Sequence, residues 1–157
     1  MDPSNIPFGR SRETQIRRDA EGTWFNEGQP LDHEKLCRAF DRWIRRADDG
    51  RYCLENDINW AYIELEGAPL FVRKVRVADG RAQLTFSSDV EQELDPRTLR
   101  EGPDGALYCD GHGGMTARFD RHAAVQLADL ILEDDTGPYF DVDGERVRPP
   151  VVEDPIR

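Results

Sequence analysis

The sequence predicts an α+β fold in which antiparallel hairpins pack with two amphipathic helices. Two alternating hydrophobic runs flank an Asp-Gly dipeptide at 79–80, which is a strong local signal for a hairpin. Two other segments place apolar residues at helical spacing. The chain of 157 residues, with three Trp and seven Phe spread along it, is long enough to form a hydrophobic core.

The first helix is expected over His33–Arg46. Asp32 follows a Gly-x-Pro turn, so its side chain is placed to accept a backbone N–H as the N-cap. Residues at positions i, i+4, i+7 and i+8 form the apolar stripe of this helix, namely Leu36, Phe40, Trp43 and Ile44. The acidic turn 48–50 is expected to end it.

Four further regions are each typical of a pair of strands. The runs LFVRKVRV and RAQLTFSS are predicted to pair across Asp79-Gly80 in a type I′ turn. The run RYCLENDINWAYIELEG contains a turn signal at Asn56-Asp57 and predicts two strands. ALYCDGHGGMTARF predicts a hairpin with glycines in its turn, and the segments PYFDV and ERVRP predict a last one across Asp143-Gly144.

A second helix is expected after Asp120, which is its predicted N-cap, and before the turn 135–137. Its apolar stripe consists of Ala124, Leu127, Ala128 and Ile131. The order strand, capped helix, acidic turn and Tyr-containing strand occurs at 32–54 and again at 120–142. This echo indicates a duplicated strand-helix-strand unit, although such units are also common in α+β proteins without duplication.

We expect one compact unit over residues 20–148. Residues 1–19 are polar and rich in Arg, which favours a flexible N-terminal arm. Residues 149–157 form a Pro-rich tail. The echo divides the compact unit into two motifs, 20–88 and 105–148.

Composition excludes several classes of protein. The net charge of −11 disfavours nucleic acid and anionic membrane surfaces, because both would repel the chain. No segment approaches the roughly 20 consecutive apolar residues that a membrane-spanning helix needs. The start of the sequence has no signal-like apolar run, and three cysteines are an odd number. These observations predict a cytoplasmic protein with reduced thiols, and the preference for Arg over Lys is typical of a GC-rich bacterial genome.

No motif predicts a catalytic residue, a cofactor or a metal. Cys109 and His112 have the spacing of half a zinc site, but no second close pair completes a tetrahedron. The glycines at 111–114 precede a strand, whereas a phosphate loop needs a helix N-terminus. The acidic stretch 141–145 lacks the later ligands of a calcium loop. No serine lies in a nucleophile elbow.

Arginines of the first helix form a candidate binding patch. They are expected on one helical face, opposite the apolar stripe, at Arg38, Arg42, Arg45 and Arg46. Such a patch on an acidic protein favours an acidic partner or a phosphate ligand. The alternative is that these side chains pair with Asp41, Asp48 or Asp49 on a solvated face.

The segments WFNEGQPL, LCRAFDRWIRRADDGRYCL, IELEGAPLF and GGMTARFDRHAAVQLADLI together resemble the domain-of-unknown-function family 1285, over Ile16–Val147. This resemblance implies two repeated motifs whose half-barrel sheets are likened to pleckstrin-homology domains, and a part in signal transduction. It implies no reaction or cofactor. The matching landmarks, which are interpreted as structural, are Trp24, Gly28, Pro30, Gly50, Tyr52 and Pro69. The chain departs from the family pattern at 56–59 and at Ala124 and Val125.

The leading hypothesis for function is a non-enzymatic binding or regulatory module that contacts an unknown protein partner or a small ligand. A first alternative is an enzyme of unrecognised type with an Arg, His and carboxylate cleft between the two motifs, in which Arg118 or Arg121 acts with His112. A second is an assembly component that pairs through sheet edges. The sequence leaves the oligomeric state open.

Overall fold

A computed structural model describes residues 11–156 of the chain. The chain divides between Pro69 and Leu70 into two compact units. Both units mix short helices with antiparallel strands, which confirms the predicted α+β fold. Within the described residues every sheet is open, and none closes into a barrel.

The first unit contains two sheets and one helix. Its elements are β1 (Ile16–Arg18), β2 (Trp24–Asn26), β3 (Gln29–Pro30), α1 (Glu34–Trp43), β4 (Ile44–Arg46), β5 (Tyr52–Glu55), β6 (Trp60–Tyr62) and β7 (Glu64–Leu65). The first sheet has the order β3-β2-β1-β7, with β7 parallel to β1. Strands β4, β5 and β6 form an antiparallel meander, so the two strands predicted on either side of Asn56-Asp57 are confirmed.

Helix α1 is shorter than the sequence predicted, and its cap is different. The N-cap is His33, whose Nδ1 accepts a hydrogen bond from the backbone N–H of Leu36 at 3.1 Å, so the prediction of Asp32 was wrong. The helix ends at Trp43 instead of Arg46. Ile44 continues as a strand because it pairs with Leu54 in β5, where its β-branched side chain is fully buried.

The second unit contains a larger sheet and a second meander. Its elements are β8 (Leu70–Ala78), β9 (Arg81–Phe86), β10 (Glu91–Glu93), β11 (Arg100–Glu101), β12 (Leu107–Asp110), β13 (Thr116–Phe119), α2 (Arg121–Leu127), β14 (Leu132–Asp134), β15 (Gly137–Val142) and β16 (Glu145–Val147). The six-stranded sheet has the order β10-β9-β8-β13-β12-β11, and the meander is β14-β15-β16. Short 3₁₀ turns lie at Pro96–Thr98, His112–Gly114 and Ala128–Leu130.

The predicted hairpins of this unit are confirmed. Asp79 and Gly80 both have positive φ, of 55° and 74°, which is the backbone of a type I′ turn. Asp143 and Gly144 repeat this geometry, with φ of 52° and 87°, between β15 and β16. The hairpin of β12 and β13 also forms. Asp-Gly sequences therefore fix two tips that project from the sheets of this unit.

The second helix begins as predicted and ends earlier. The carboxylate of Asp120 accepts a hydrogen bond from the N–H of Ala123 at 2.8 Å, so it is the N-cap. Helix α2 then stops at Leu127 and gives way to the 3₁₀ turn and to β14. The expectation that the apolar stripe reaches Ile131 was wrong, because Ile131 precedes a strand and is 41% exposed.

A duplication is visible in the order of elements, and it is larger than the predicted strand-helix-strand unit. Strands β1–β3, helix α1 and meander β4–β6 have counterparts in β11–β13, α2 and β14–β16. In both copies a three-stranded antiparallel meander precedes the helix and another one follows it. Strands β8–β10 lie between the copies in sequence.

The segments next to both termini take part in the fold. Strand β1 lies within 1–19, where the sequence indicated an arm, and Arg18 in it is fully buried. For residues 1–10, which lie outside the described residues, the flexible arm stays a prediction. At the other end the amide of Val152 donates to the carbonyl of Glu101 at 2.9 Å, so the Pro-rich tail is fastened to β11.

Candidate binding groove in the second unit

A groove opens on the second unit where four separate segments approach one another. Its first part is a cavity of about 570 Å³. The walls come from the β8–β9 turn, from the region of β10 and the 3₁₀ turn that follows it, from Leu130, and from the end of β15. Each of these segments is short and ends in a tight turn, so the groove is assembled from turn residues.

A second cavity of about 440 Å³ adjoins the first. The two cavities share the residues Gly80, Pro96, Leu130 and Asp141. The second adds Leu132 and Phe140, of which Phe140 is buried at 5% exposure and Leu132 remains 46% exposed. We call the two cavities together the acidic groove.

Carboxylates predominate along the acidic groove. Two arginines, Arg81 and Arg97, line its two cavities, together with six acidic residues: Asp79, Glu93, Asp95, Asp129, Asp141 and Asp143. Arg81 pairs with Glu93 at 3.3 Å, and Arg97 pairs with Glu145 at 2.8 Å. The other five lining carboxylates form no ion pair within the part of the chain that the structure describes.

Local sequence determines where these carboxylates lie. Asp79 and Asp143 each occupy the first position of an Asp-Gly turn, where their positive φ fixes the backbone. Asp95 is the N-cap of the 3₁₀ turn and accepts from the N–H of Arg97 at 3.0 Å. Asp141 Oδ1 accepts from the N–H of Gly144 at 2.8 Å. These aspartates therefore stabilise turns of the fold, and their carboxylates also give the groove its negative charge.

Apolar side chains are exposed within residues 125–132, of which Leu132 lines the groove. Val125, Ile131 and Leu132 are all exposed, whereas the nearby apolar residues Leu127 and Phe140 are buried. Large apolar side chains exposed together on one segment are typical of an interaction surface. Over residues 11–156 no group of three His, Cys, Asp or Glu side chains is arranged to hold a metal ion. The groove combines apolar and anionic character without the geometry of a metal centre.

The predicted arginine patch of the first unit is arranged differently from the sequence expectation. Because α1 ends at Trp43, only Arg38 and Arg42 lie on the helix, and the prediction of one helical face was wrong. Arg45 Nη1 donates to the carbonyls of Arg42 and Ile44 at 2.9 and 2.8 Å, so it satisfies backbone acceptors at the end of the helix. The guanidinium of Arg46 lies over the ring of Tyr52, 5.6 Å from its centroid.

The remaining predicted site residues, Arg118, Arg121 and His112, all lie in the second unit. Arg118, in β13, pairs with Asp104 at 3.1 Å. Arg121 is the exposed first residue of α2. His112 Nε2 lies 2.8 Å from Ser88 Oγ, and the His112 ring packs edge-on against Phe86. The contact of Ser88 with His112 was missed from sequence, because 24 residues separate the two and neither lies in a known motif.

The thiols of the chain are poor nucleophiles in this fold. Burial raises the pKa of Cys53 to about 11 and that of Cys109 to about 12. Burial also raises the pKa of Cys37. A raised pKa lowers the fraction of reactive thiolate at neutral pH. These cysteines therefore act as small buried or half-buried side chains.

The landmark residues have structural surroundings. Trp24 is buried, and its Nε1 donates to Asp41 at 2.9 Å, the same carboxylate that Arg18 contacts at 2.9 Å. Arg18 Nη2 also donates to the carbonyl of Pro69 at 2.9 Å. Positive φ is found at Gly28 and Gly50, in turns, while Pro30 lies in β3 and Tyr52 in β5.

This chain is a two-unit α+β protein whose second unit contains an open groove lined mainly by carboxylates. No known family model and no curated protein matches the chain. Among solved structures, a DUF1285 family protein from Silicibacter pomeroyi is similar, with a TM-score of 0.67 and 20% identity over 94% of this chain and 88% of that one. A DUF1285 family protein from Shewanella baltica has a TM-score of 0.59 and 19% identity over 76% of this chain and 94% of that one.

The chain therefore has the fold of DUF1285 proteins, and the resemblance seen in the sequence is confirmed at the level of the fold. Both similar proteins come from bacteria, and their names state no ligand and no reaction. Neither helix in residues 11–156 has the length and apolar character needed to cross a bilayer.

Proposed function

We propose that this chain is a non-enzymatic binding module of the bacterial cytoplasm, and that the acidic groove is where a partner protein docks. The observation that carries this proposal is the groove itself, with Leu132 exposed beside the buried ring of Phe140. A cavity of this size is typical of ligand sites, which combine an apolar surface with a few polar groups. The part in signal transduction that the resemblance implies belongs to the same proposal.

Site-specific crosslinking tests the location of docking. A photoreactive amino acid replaces Leu132 in one variant and Ile58 in another, and both are expressed in the native cell. Ile58 is the matched control because it is apolar, 83% exposed and located in the first unit. We expect one defined adduct from position 132, which excess unmodified chain abolishes and a Leu132→Asp chain does not. Equal adducts from both positions, or none from position 132, would contradict docking at the groove.

The enzyme alternative has one contact in its favour, the hydrogen bond between Ser88 and His112. Nucleophile and base lie within such reach in serine hydrolases. Ser88 is only 7% exposed, which places its hydroxyl against protein. A panel of activated esters tests this: we expect the wild-type chain to show no turnover above background. Turnover that Ser88→Ala abolishes would replace the binding proposal with a hydrolase.

The assembly alternative depends on sheet edges. The edge strand β10 carries Glu91 and Glu93, and charged edges oppose pairing between copies. Sedimentation of the whole chain distinguishes the two proposals. A mass of 18.0 kDa at micromolar concentration agrees with a binding module, whereas a concentration-dependent series of larger species would favour assembly.

A further inference from the structure

We infer that the acidic groove selects a cationic, amphipathic segment of its partner, in which an apolar side chain lies next to Arg or Lys. This inference rests on the proposed function and specifies the chemistry of the occupant. It follows from the different linings of the two adjoining cavities, which share four residues: the second, here called the apolar cavity, holds Leu130, Leu132 and Phe140, and the first, here called the anionic cavity, holds most of the carboxylates.

The apolar cavity defines the first requirement. Leu130, Leu132 and Phe140 line it, and only Phe140 is fully covered. Water next to such a surface is displaced favourably by an apolar side chain. A free metal ion or a small polyamine would leave this surface exposed, so the occupant needs its own apolar group.

The anionic cavity defines the second requirement. Asp79, Asp141 and Asp143 come from two hairpin tips, and tight turns hold their backbones before any partner arrives. Asp141 also has one carboxylate oxygen engaged by the N–H of Gly144, which leaves the other available. Preorganised carboxylates favour a cation, and Arg can contact a carboxylate with two parallel hydrogen bonds.

The arginines of the groove do not cancel this preference. Arg81 forms an ion pair with Glu93, and Arg97 forms one with Glu145. Both pairs are exposed, so solvent screens their electrostatic effect on the groove. Five lining carboxylates within the described residues have no such partner. An acidic segment would face net repulsion at this surface, and so would a nucleic acid.

Charge neutralisation at the two hairpin tips isolates the anionic requirement. The double variant Asp79→Asn/Asp143→Asn keeps the side-chain volume, and Asn is well tolerated at positive φ, so the turns are expected to form. The matched control is Glu133→Gln/Asp135→Asn, which removes the same charge from exposed residues beside the groove that do not line it. The Leu132→Ser variant isolates the apolar requirement.

The probes are three fluorescein-labelled Gly/Ser peptides of equal length that carry Leu-Arg-Arg-Leu, Leu-Glu-Glu-Leu or Gly-Arg-Arg-Gly at their centre. Fluorescence anisotropy with the whole chain gives the Kd of each. We expect binding of the first peptide alone, with Kd raised about tenfold by the Asn double variant and by Leu132→Ser. The control double variant should leave Kd within about twofold, and added salt should weaken binding.

Three results would overturn the inference: equal binding of the acidic peptide, equal binding of the peptide without Leu, or the same loss in the control double variant. Self-association of the wild-type chain that the Asn double variant abolishes would identify a second copy as the occupant and also overturn it. If an adduct forms from position 132 while the peptides are not discriminated, docking stands and the chemistry inferred here is wrong. If neither is seen, both proposals fail.

Discussion

Replacement of Arg100 by Met should destabilise the second unit and release the C-terminal tail. Arg100 is 2% exposed and makes four hydrogen bonds. Its Nε donates to the carbonyl of Pro155 at 2.7 Å, and Nη1 donates to the carbonyl of Thr98 and to Asp110, both at 2.8 Å. Nη2 donates to Thr116 Oγ1 at 3.1 Å. Met keeps the length and apolar volume of the stem and removes every donor.

The magnitude follows from which acceptors can find new partners. The carboxylate of Asp110 has 47% of its side chain exposed, so water replaces the lost donor there. The carbonyl of Pro155 is buried and that of Thr98 is partly buried, and an unsatisfied buried acceptor costs about 1–3 kcal/mol. We therefore expect the free energy of unfolding to fall by about 3 kcal/mol, a large part of the 5–15 kcal/mol typical of a folded domain.

Urea unfolding followed by circular dichroism measures the loss, and hydrogen exchange at the amides of Glu101 and Val152 reports the tail. The control is Arg97→Met, which removes the exposed pair with Glu145 and should cost less than about 1 kcal/mol. If Arg100→Met lies within about 1 kcal/mol of the wild type, or if the Val152 amide keeps its protection, the tail does not depend on this guanidinium and the reasoning is refuted.

Two further predictions concern pH and thiol chemistry. The hydrogen bond from Arg148, and further ones from Thr136 and Arg146, hold the pKa of Asp134 well below its usual range. The ionised carboxylate therefore stabilises the folded chain fully above about pH 4, and this stabilisation is lost as pH falls through the pKa of the folded state. Asp134→Asn should lower Tm at pH 7, and the Tm of the variant should fall less than that of the wild type below about pH 4. A parallel fall of Tm in the two proteins would contradict this. Burial raises the pKa of the thiols of Cys53 and Cys109. At pH 8, iodoacetamide should therefore leave both cysteines unmodified until urea is added, as measured by mass spectrometry. Rapid labelling of Cys109 in the folded chain would contradict the fold around that residue.

Signals that act over a few residues were predictable from the sequence. The two Asp-Gly turns and the Asp120 cap are examples, because each depends on a short-range hydrogen bond or on a backbone conformation that the residue type favours. The end of α1 was not predictable in this way. Helical spacing fits Ile44 as well as strand pairing does, and only the contact with Leu54, ten residues later, decides between them.

The acidic groove could not be predicted, since its walls meet only in three dimensions. Asp79 and Asp143 were recognised as turn residues and correctly placed in hairpins, yet nothing local indicates that the two tips line the same cavity. The same limit applies to Arg100, whose acceptor at Pro155 is 55 residues away. The prediction that the arginines lie on one helical face was wrong for a related reason, because α1 ends at Trp43 and Arg45 and Arg46 lie in a strand.

Each unit contains a buried arginine whose guanidinium binds backbone carbonyls close to the end of that unit. Arg18 in β1 holds the carbonyls of Ala68 and Pro69, and Arg100 in β11 holds that of Pro155. A polypeptide cut after Pro69 would therefore keep each of these arginines in the same fragment as the carbonyls that it binds.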